Sequence, residues 1–255
     1  MRAVAPVPWS GGPWSNGPYA EALRSGRGPL FLRRADGWML PLEVERWCGE
    51  ADAADQSVLR RCEGAVLDVG CGPGRMVAAL RARGGSALGI DISPEAVRRT
   101  ADIGGRALRR SFFDPLPREG TWGSVLLLDG NVGIGGDPRA LLDRTRDVLA
   151  PGGLLLTETA PVDVDERAHV HVVDGRAPCA ADAGAYGEPF AWARLGTRAL
   201  LRYALPHGWG SEGQWESGGR SFVALRRSPE SPESPESPEA PEPPEAPEPP
   251  ASAVS

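Results

Sequence analysis

The chain has 255 residues, a formal net charge of −6, 26 prolines and 33 glycines. Its last 28 residues, 228–255, contain ten of the prolines and seven glutamates with very few apolar side chains, so we expect this segment to be disordered. Without those glutamates, residues 1–227 carry a net charge of +1. That balance argues against binding of polymeric nucleic acid, which requires a concentrated basic surface.

The cysteine pattern and the hydropathy restrict the class of protein further. The four cysteines form no CxxC pair and no cluster with histidine at metal-ligand spacing, so we expect neither a metal site nor a disulfide framework. No apolar stretch approaches the roughly 20 residues that span a bilayer. Proline and glycine interrupt the N-terminus before the apolar core of a signal peptide develops. The sequence therefore predicts a cytoplasmic protein that does not bind membranes.

Residues 1–64 are predicted to form an N-terminal extension that caps the following domain. The first 18 residues are rich in proline, glycine and tryptophan, a composition that favours turns. A short helix is expected at Tyr19–Arg24, and the runs LFLRR and WMLPL are expected to be strands joined by an Asp-Gly turn, with Pro41 restricting the second strand to a sheet edge. Asp52 is a good N-cap for the helix that follows.

From residue 65 to residue 227, short apolar runs alternate with helical segments. The strands AVLDV, ALGI, SVLLLD and LLLTET are apolar on consecutive residues, which is typical of a parallel sheet covered by helices on both faces. A weaker strand is expected at ALRRSF, and the last two, GSEGQWE and RSFVALRR, must be antiparallel because only a short turn separates them. We therefore predict an α/β domain with a doubly wound, mostly parallel, seven-stranded sheet that ends in an antiparallel hairpin.

The segment from Pro161 to Phe190 is the least regular part of this domain. Its one alternating run, AHVHVV, predicts an extra strand with His169 and His171 on the same face.

The strongest local signal is VLDVGCGPGR, which joins an apolar strand to a helix through Gly70, Gly72 and Gly74. Glycines at such a bend take positive φ and let the backbone approach a ligand, and the helix that follows presents N–H groups to an anion. A dinucleotide-binding fingerprint reads GxGxxG, whereas these glycines occur at every second residue. Asp68 precedes them by two residues, and Asp91 ends the next strand, where a carboxylate can accept both hydroxyls of a ribose.

With the terminal hairpin, these motifs resemble the class I S-adenosylmethionine-dependent methyltransferases over roughly residues 65–227. The resemblance implies S-adenosyl-L-methionine as cofactor and methyl transfer as the reaction. In that family the first acid and the glycine loop hold the methionine part of the cofactor, and the second acid binds the ribose. The resemblance therefore implies a cofactor site that includes Asp68, Gly70, Cys71, Gly72, Gly74, Asp91 and Ile92.

Two further strand ends complete the implied site. In that family an acid just after the third strand usually receives the adenine amino group. In RRSFFDPLP this place falls on Ser111 or Phe112, and the acid Asp114 stands two or three residues later as a possible substitute. The end of the fourth strand, LLLDGNVGIGG, brings Asp129 and Asn131 to the reactive side of the cofactor.

Methyl transfer from a sulfonium is an in-line displacement, in which positioning supplies much of the acceleration. A base is needed only when the acceptor must lose a proton. Among the candidate bases, Asp129 and His171 rank first as predicted catalytic residues, and a purely structural role is the alternative for each. The full set of candidates is Asp129, Glu158, His169, His171 and His207.

The aromatic residues of the extension have two interpretations. They can stabilise the sulfonium or stack on a flat acceptor, or they can simply pack the extension onto the domain. We expect packing for most of them and one or two in the pocket. The set comprises Trp9, Trp14, Tyr19, Trp38 and Trp47.

The leading prediction is methyl transfer to a small-molecule acceptor, for which secondary metabolism is one setting. A nicotinamide-dependent oxidoreductase is an alternative, although the glycine spacing and the antiparallel ending disfavour it. A second alternative is a cofactor-binding module without catalysis that acts through partners. The proline-rich segment, whose glutamates recur at every third residue, would then be a docking arm for a protein rather than a solubilising spacer.

Overall fold

The structure, a computed structural model, describes residues 17–176 and 188–228. Trp9, Trp14 and residues 229–255 of the segment predicted to be a disordered tail therefore lie outside the described residues. The described strands are β1 (Leu30–Arg34), β2 (Met39–Leu42), β3 (Val66–Val69), β4 (Ala87–Asp91), β5 (Ala107–Arg109), β6 (Trp122–Leu127), β7 (Leu149–Thr159), β8 (Asp165–Asp174), β9 (Phe190–Leu195), β10 (Trp209–Ser217) and β11 (Arg220–Arg227).

Three helices begin at capping residues that the local sequence provides. Asp52 and Asp55 form a capping box at the start of α3, and Ser93 and Asp137 accept backbone N–H groups at the starts of α5 and α6. Short 3₁₀ turns occur at Asn131–Gly133 and Leu205–His207. The helices are α1 (Pro18–Ser25), α2 (Val44–Cys48), α3 (Ala53–Leu59), α4 (Arg75–Ala82), α5 (Pro94–Asp102), α6 (Pro138–Val148) and α7 (Thr197–Ala204).

The main sheet confirms the predicted fold class. Its seven strands run in the order β10-β11-β7-β6-β3-β4-β5, and only the pairs formed by β11 are antiparallel. Alternate residues of its central strands enter two apolar clusters: Leu67 and Val125 pack on the side of α6 and α7, whereas Val66 and Leu126 pack with α3 and α4. Burial on both faces explains why these strands are apolar on consecutive residues.

A second, four-stranded antiparallel sheet runs in the order β2-β1-β8-β9. The β1–β2 hairpin and the extra strand agree with the prediction, and Pro41 lies on the edge strand. The cap is nevertheless not confined to residues 1–64, because β8 and β9 form half of this sheet. A lone hairpin is marginally stable in water, so the two strands from residues 165–195 supply the partners that a buried face requires. Strand β9 had no clear sequence signal.

Strand β9 packs directly against the loop after β6. A Cβ atom added at Gly133 would lie 2.0 Å from the carbonyl oxygen of Ala193, and one at Gly136 would lie 2.7 Å from Cβ of Ala191. Ile134 and Trp192 form an isolated β-bridge at the same place. The glycines of DGNVGIGG therefore permit the close backbone approach that joins the two sheets.

Substituting Gly133 with alanine tests this junction. Because the new methyl group would overlap a backbone oxygen, we expect a loss of about 1–3 kcal/mol in the free energy of unfolding, measured by urea denaturation. Gly213→Ala is the matched control, since a Cβ atom at Gly213 meets nothing within 4 Å. Equal unfolding midpoints for the two variants would show that β9 does not depend on this contact.

Candidate functional site

A cavity of about 360 Å³ lies at the carboxyl ends of β3, β4 and β6, and the second sheet covers it. Ligands of open α/β sheets bind at this edge of the sheet. Tyr19 of α1 and Trp47 of α2 both line the cavity. Of the described aromatic residues of the extension that were considered, Tyr19, Trp38 and Trp47, only Trp38 does not line the cavity.

The three glycines of the bend all have positive φ, but they do different things. A Cβ atom at Gly70 would lie 2.6 Å from Nδ2 of Asn131, and one at Gly74 would lie 2.5 Å from Oγ1 of Thr100, so both positions are closed by packing. A Cβ atom at Gly72 would meet only the Tyr19 hydroxyl, at 3.7 Å. Gly70 and Gly72 line the cavity. Gly74, which was predicted to contact the cofactor, does not line it, and its missing side chain allows α5 to pack closely against the bend.

Two neighbouring side chains hold this bend in place. Asn131 Nδ2 donates to the carbonyl oxygens of Val69 at 2.9 Å and Gly70 at 3.0 Å. The side chain of Cys71 is buried beside Gly89, where an added Cβ atom would lie 2.6 Å from Sγ, so packing against β4 occupies this thiol. Asn131 therefore stabilises the bend. The side chain of Cys71 packs against β4, so Cys71 lines the cavity with its backbone.

Asp91 points toward the bend. Its Oδ2 accepts the backbone N–H of Gly72 at 2.9 Å, and its Oδ1 accepts that of Ser93 at 2.8 Å. Burial raises the pKa of this carboxyl to about 6, although the backbone hydrogen bonds act in the opposite direction. The cavity extends from Asp91 past Ile92, Ser111 and Phe112.

The acid after the third strand does not reach this cavity. Asp114 closes its own turn, since its Oδ2 accepts the backbone N–H of Ser111 at 3.2 Å, and it does not line the main cavity. Ser111 and Phe112, which occupy the expected place, do line it.

Asp68 lies in β3 and does not line the cavity. Its side chain is buried, and its Oδ2 has no hydrogen-bond partner among the residues that the structure describes. Burial raises its pKa to about 7, against the lowering effect of Arg75. Asp68 is therefore a buried residue of β3 that lies outside the cavity wall.

Arg75, the first residue of α4, is the centre of a buried ion network that the sequence did not reveal. Its Nε and Nη2 donate to the carboxylate of Asp55 at 2.7 and 3.0 Å, and its Nη1 donates to Asp129 Oδ2 at 2.8 Å. Asp55 is fully buried. The arginine thereby ties α3 and α4 to the end of β6.

The network continues into the hairpin and the cap. Arg220 of β11 donates to both oxygens of Glu158, at 2.9 and 2.6 Å, and to Asp55 Oδ1 at 2.8 Å. Arg46 of α2 donates to Asp129 Oδ1 at 2.7 Å. Arginines and carboxylates far apart in sequence therefore meet at one end of the cavity, where Arg75 and Asp129 form part of its wall.

This network makes Asp129 a weaker base than an ordinary aspartate. Burial raises its pKa, but the guanidinium groups of Arg75, Arg46 and Arg220 outweigh that effect and lower the pKa below the ordinary value. Glu158 is likewise held by Arg220 and accepts the backbone N–H of Asp129 at 2.8 Å. Asp129 is thus a poor proton acceptor in this state.

The predicted histidine base lies on the wrong face of the second sheet. Side chains alternate along a strand, and Val172 pairs with Leu32, which lines the cavity. His171 pairs with Arg33 and therefore belongs to the opposite face, together with His169. His207 follows α7, and none of the three histidines lines the cavity.

Among residues 17–176 and 188–228, no group of three or more histidine, cysteine, aspartate and glutamate side chains could hold a metal ion. Within the same ranges, no helix is both long and apolar enough to cross a membrane.

Structural comparison supports the fold. A methyltransferase from Bacteroides fragilis, described as S-adenosylmethionine-dependent and bound to S-adenosyl-L-homocysteine, superposes with a TM-score of 0.66 at 20% identity, over 83% of this chain and 93% of that chain. The 1,6-didemethyltoxoflavin-N1-methyltransferase of Burkholderia thailandensis superposes with a TM-score of 0.50 at 15% identity, over 69% of this chain and 79% of that chain. A third structure, whose description is the conversion of a disulfide bond into a thioacetal group during echinomycin biosynthesis, superposes with a TM-score of 0.53 at 18% identity. The match covers 82% of this chain and 91% of that chain.

Sequence comparison gives the family. No curated protein sequence matches the chain significantly. Residues 50–203, more than half of the chain, match the family described as "Methyltransferase domain". The match includes the glycine bend, both predicted acids and strands of the two sheets. The chain therefore belongs to the methyltransferase domain family, in agreement with the resemblance carried by its glycine bend.

Proposed function

We propose that this protein transfers a methyl group from S-adenosyl-L-methionine to a small-molecule acceptor. The observation that carries the proposal is the open cavity beside Gly72, which the carboxylate of Asp91 borders. The bound cofactor supplies a methyl group activated on a sulfonium. The residues of the cavity wall bind the cofactor and the acceptor, orient them and exclude water.

The donor set fits such a cofactor. Asp91 can accept ribose hydroxyls, and the backbone at Gly70 and Gly72 approaches the cavity without a side chain in between. One buried polar atom of a residue that lines this cavity, the Trp47 indole nitrogen, has no partner among the described residues. Buried polar atoms are normally satisfied, so a bound molecule with its own polar groups is expected to complete this site.

Arg75 and Asp129 supply opposite charges at the far end of the cavity. The α-amino and carboxylate groups of the cofactor carry the same pair of charges, so this end suits the amino-acid part. Ile92, Ser111 and Phe112 extend from Asp91 on the other side and suit the adenine. These assignments deepen the proposal and follow the order of the strands along the sheet edge.

A small acceptor fits better than a polymer because the second sheet covers the cavity. Two structural neighbours act in the chemistry of small molecules, one on 1,6-didemethyltoxoflavin and one in echinomycin biosynthesis. We therefore assign this chain to small-molecule methylation, with secondary metabolism as the setting. Residues 1–64 and 228–255 are proposed to act as a cap and as a spacer or protein-docking segment, respectively.

Calorimetry and methyl transfer test this function together. The full-length protein should bind S-adenosyl-L-homocysteine, should show no thermal shift with NAD, and should transfer a labelled methyl group to members of a small-molecule panel. Absence of S-adenosyl-L-homocysteine binding would refute the proposal, and binding of NAD would favour the oxidoreductase alternative. Tight binding without methyl transfer to any acceptor would favour a module that acts through partners.

A further inference from the structure

The wall of the cavity that faces the second sheet differs from the wall at the glycine bend. The bend side carries backbone polar groups, Asp91, Arg75 and Asp129. The opposite side is apolar and comes from β1, β2, β9 and the loops after β5 and β6. Its principal side chains are Leu32, Leu42, Phe113, Ile134, Phe190 and Trp192.

Three of these side chains are aromatic and have defined relative positions. Phe190 and Trp192 are two residues apart on β9, so they share the face toward the cavity, and their rings meet edge to face at a centroid distance of 6.1 Å. Phe113 borders the loop at Gly135 and is 45% exposed. A large exposed aromatic ring on a cavity wall is an unsatisfied apolar surface that a flat ligand can cover.

Proton acceptors on the described cavity wall are already engaged. Asp91 accepts two backbone N–H groups, and Asp129 is held by three arginines. The histidines of β8 lie on the other face of the second sheet. Among the described residues, the acceptor side of the cavity therefore supplies contact area and orientation rather than a base.

Resting on the proposed function, we propose that the acceptor is a planar aromatic molecule that packs against Trp192 and Phe190 and whose nucleophilic atom enters unprotonated. That atom donates its lone pair to the methyl carbon while the carbon–sulfur bond breaks, and the electron pair of that bond stays on the departing sulfur. The cofactor becomes the neutral thioether S-adenosyl-L-homocysteine. For a thiol acceptor, the proton passes to solvent before transfer, so no group of the protein changes protonation.

Two neutral thioethers of similar size test flatness without a difference in acidity. Calorimetry on the protein loaded with S-adenosyl-L-homocysteine should show binding of thioanisole that is about tenfold or more tighter than that of cyclohexyl methyl sulfide. Thiophenol itself should be a methyl acceptor. Equal affinities for the two thioethers would overturn the aromatic assignment.

The matched variants are Trp192→Leu and Trp38→Leu. Trp192→Leu should abolish most of the binding preference for thioanisole over cyclohexyl methyl sulfide while leaving the affinity for S-adenosyl-L-homocysteine unchanged. Trp38 lies near the same sheet, against Arg34 and Arg194, but does not line the cavity, so its variant should keep the preference. A preference that survives in Trp192→Leu, or that disappears equally in both variants, contradicts the assignment.

The pH dependence tests the unprotonated nucleophile. With 4-nitrothiophenol in place of thiophenol, the inflection of kcat/KM should move to lower pH, because it follows the acidity of the acceptor. An inflection at the same pH for both thiols would indicate a base on the protein and would overturn this part. If the protein binds S-adenosyl-L-homocysteine but methylates neither arene thiol, the substrate class is wrong; if it binds no S-adenosyl-L-homocysteine, the proposed function itself fails.

Discussion

Replacing Arg75 with methionine is expected to lower the free energy of unfolding by about 3–5 kcal/mol, because it removes one partner of a buried ion network. Arg75 is 5% exposed and holds Asp55, which is fully buried, through two hydrogen bonds. Arg220 can retain part of the contact with Asp55 and Asp129 but cannot replace both pairs. Urea denaturation, with linear extrapolation to water, measures the loss.

Arg98→Met is the control for this variant. Arg98 also bridges two carboxylates, Glu95 and Asp102, but it lies on the exposed face of α5 with a side chain that is 55% exposed. Exposed ion pairs contribute little, so its unfolding midpoint should not change measurably. Similar unfolding midpoints for both variants would show that the buried Arg75 network contributes no more to the free energy of unfolding than an exposed ion pair does.

Asp91→Ala is expected to weaken binding of S-adenosyl-L-homocysteine by about 1–3 kcal/mol, roughly 5-fold to 150-fold in Kd. The substitution leaves the ribose hydroxyls without their acceptor and releases the backbone N–H groups of Gly72 and Ser93. Calorimetry on the full-length protein measures the change. Asp143→Ala, at an exposed position of α6, should bind like the unmodified protein. An unchanged Kd in Asp91→Ala would place the ribose elsewhere.

The raised pKa of Asp91 also predicts a pH dependence of this binding. In the proposed site, the ribose hydroxyls donate to the ionised carboxylate of Asp91, and protonation removes that acceptor. Because the pKa is about 6 in the free protein, affinity should be highest above that value and should fall as the pH drops through it. The fall should be absent in Asp91→Ala. A pH dependence of equal size in both proteins would assign the titration to another group, such as Asp68.

Part of the site was predictable because it depends on local backbone geometry. The glycines at 70 and 72 and the acid that ends β4 occupy short segments, and the spacing of these residues alone indicates a strand, a bend and a helix. The spacing also correctly suggested an open backbone beside Asp91. It could not separate Gly72, which leaves space, from Gly74, which packs on Thr100, because that difference depends on where α5 lies.

The structure does not bring His171, predicted as a base, to the cavity, for a related reason. An alternating run defines which residues share a face, but not which face turns toward the cavity. Only the pairing of β8 with β1 settles this, since Val172 pairs with Leu32, a residue of the cavity wall. Asp129 lines the cavity, and its three arginine neighbours come from α2, α4 and β11 and leave no local signal.

By itself, the sequence determined the order of the strands and helices of the main sheet, its doubly wound form with the antiparallel ending and the family, because these depend on periodicity and on short motifs. The tertiary structure decided that residues 165–195 complete the cap, that Arg75 and Arg220 neutralise the buried acids, and that aromatic side chains form the outer wall of the cavity. Each of these features joins segments distant along the chain. Charge pairing and burial depend on the distance between groups in space, which the spacing of residues along a sequence does not give.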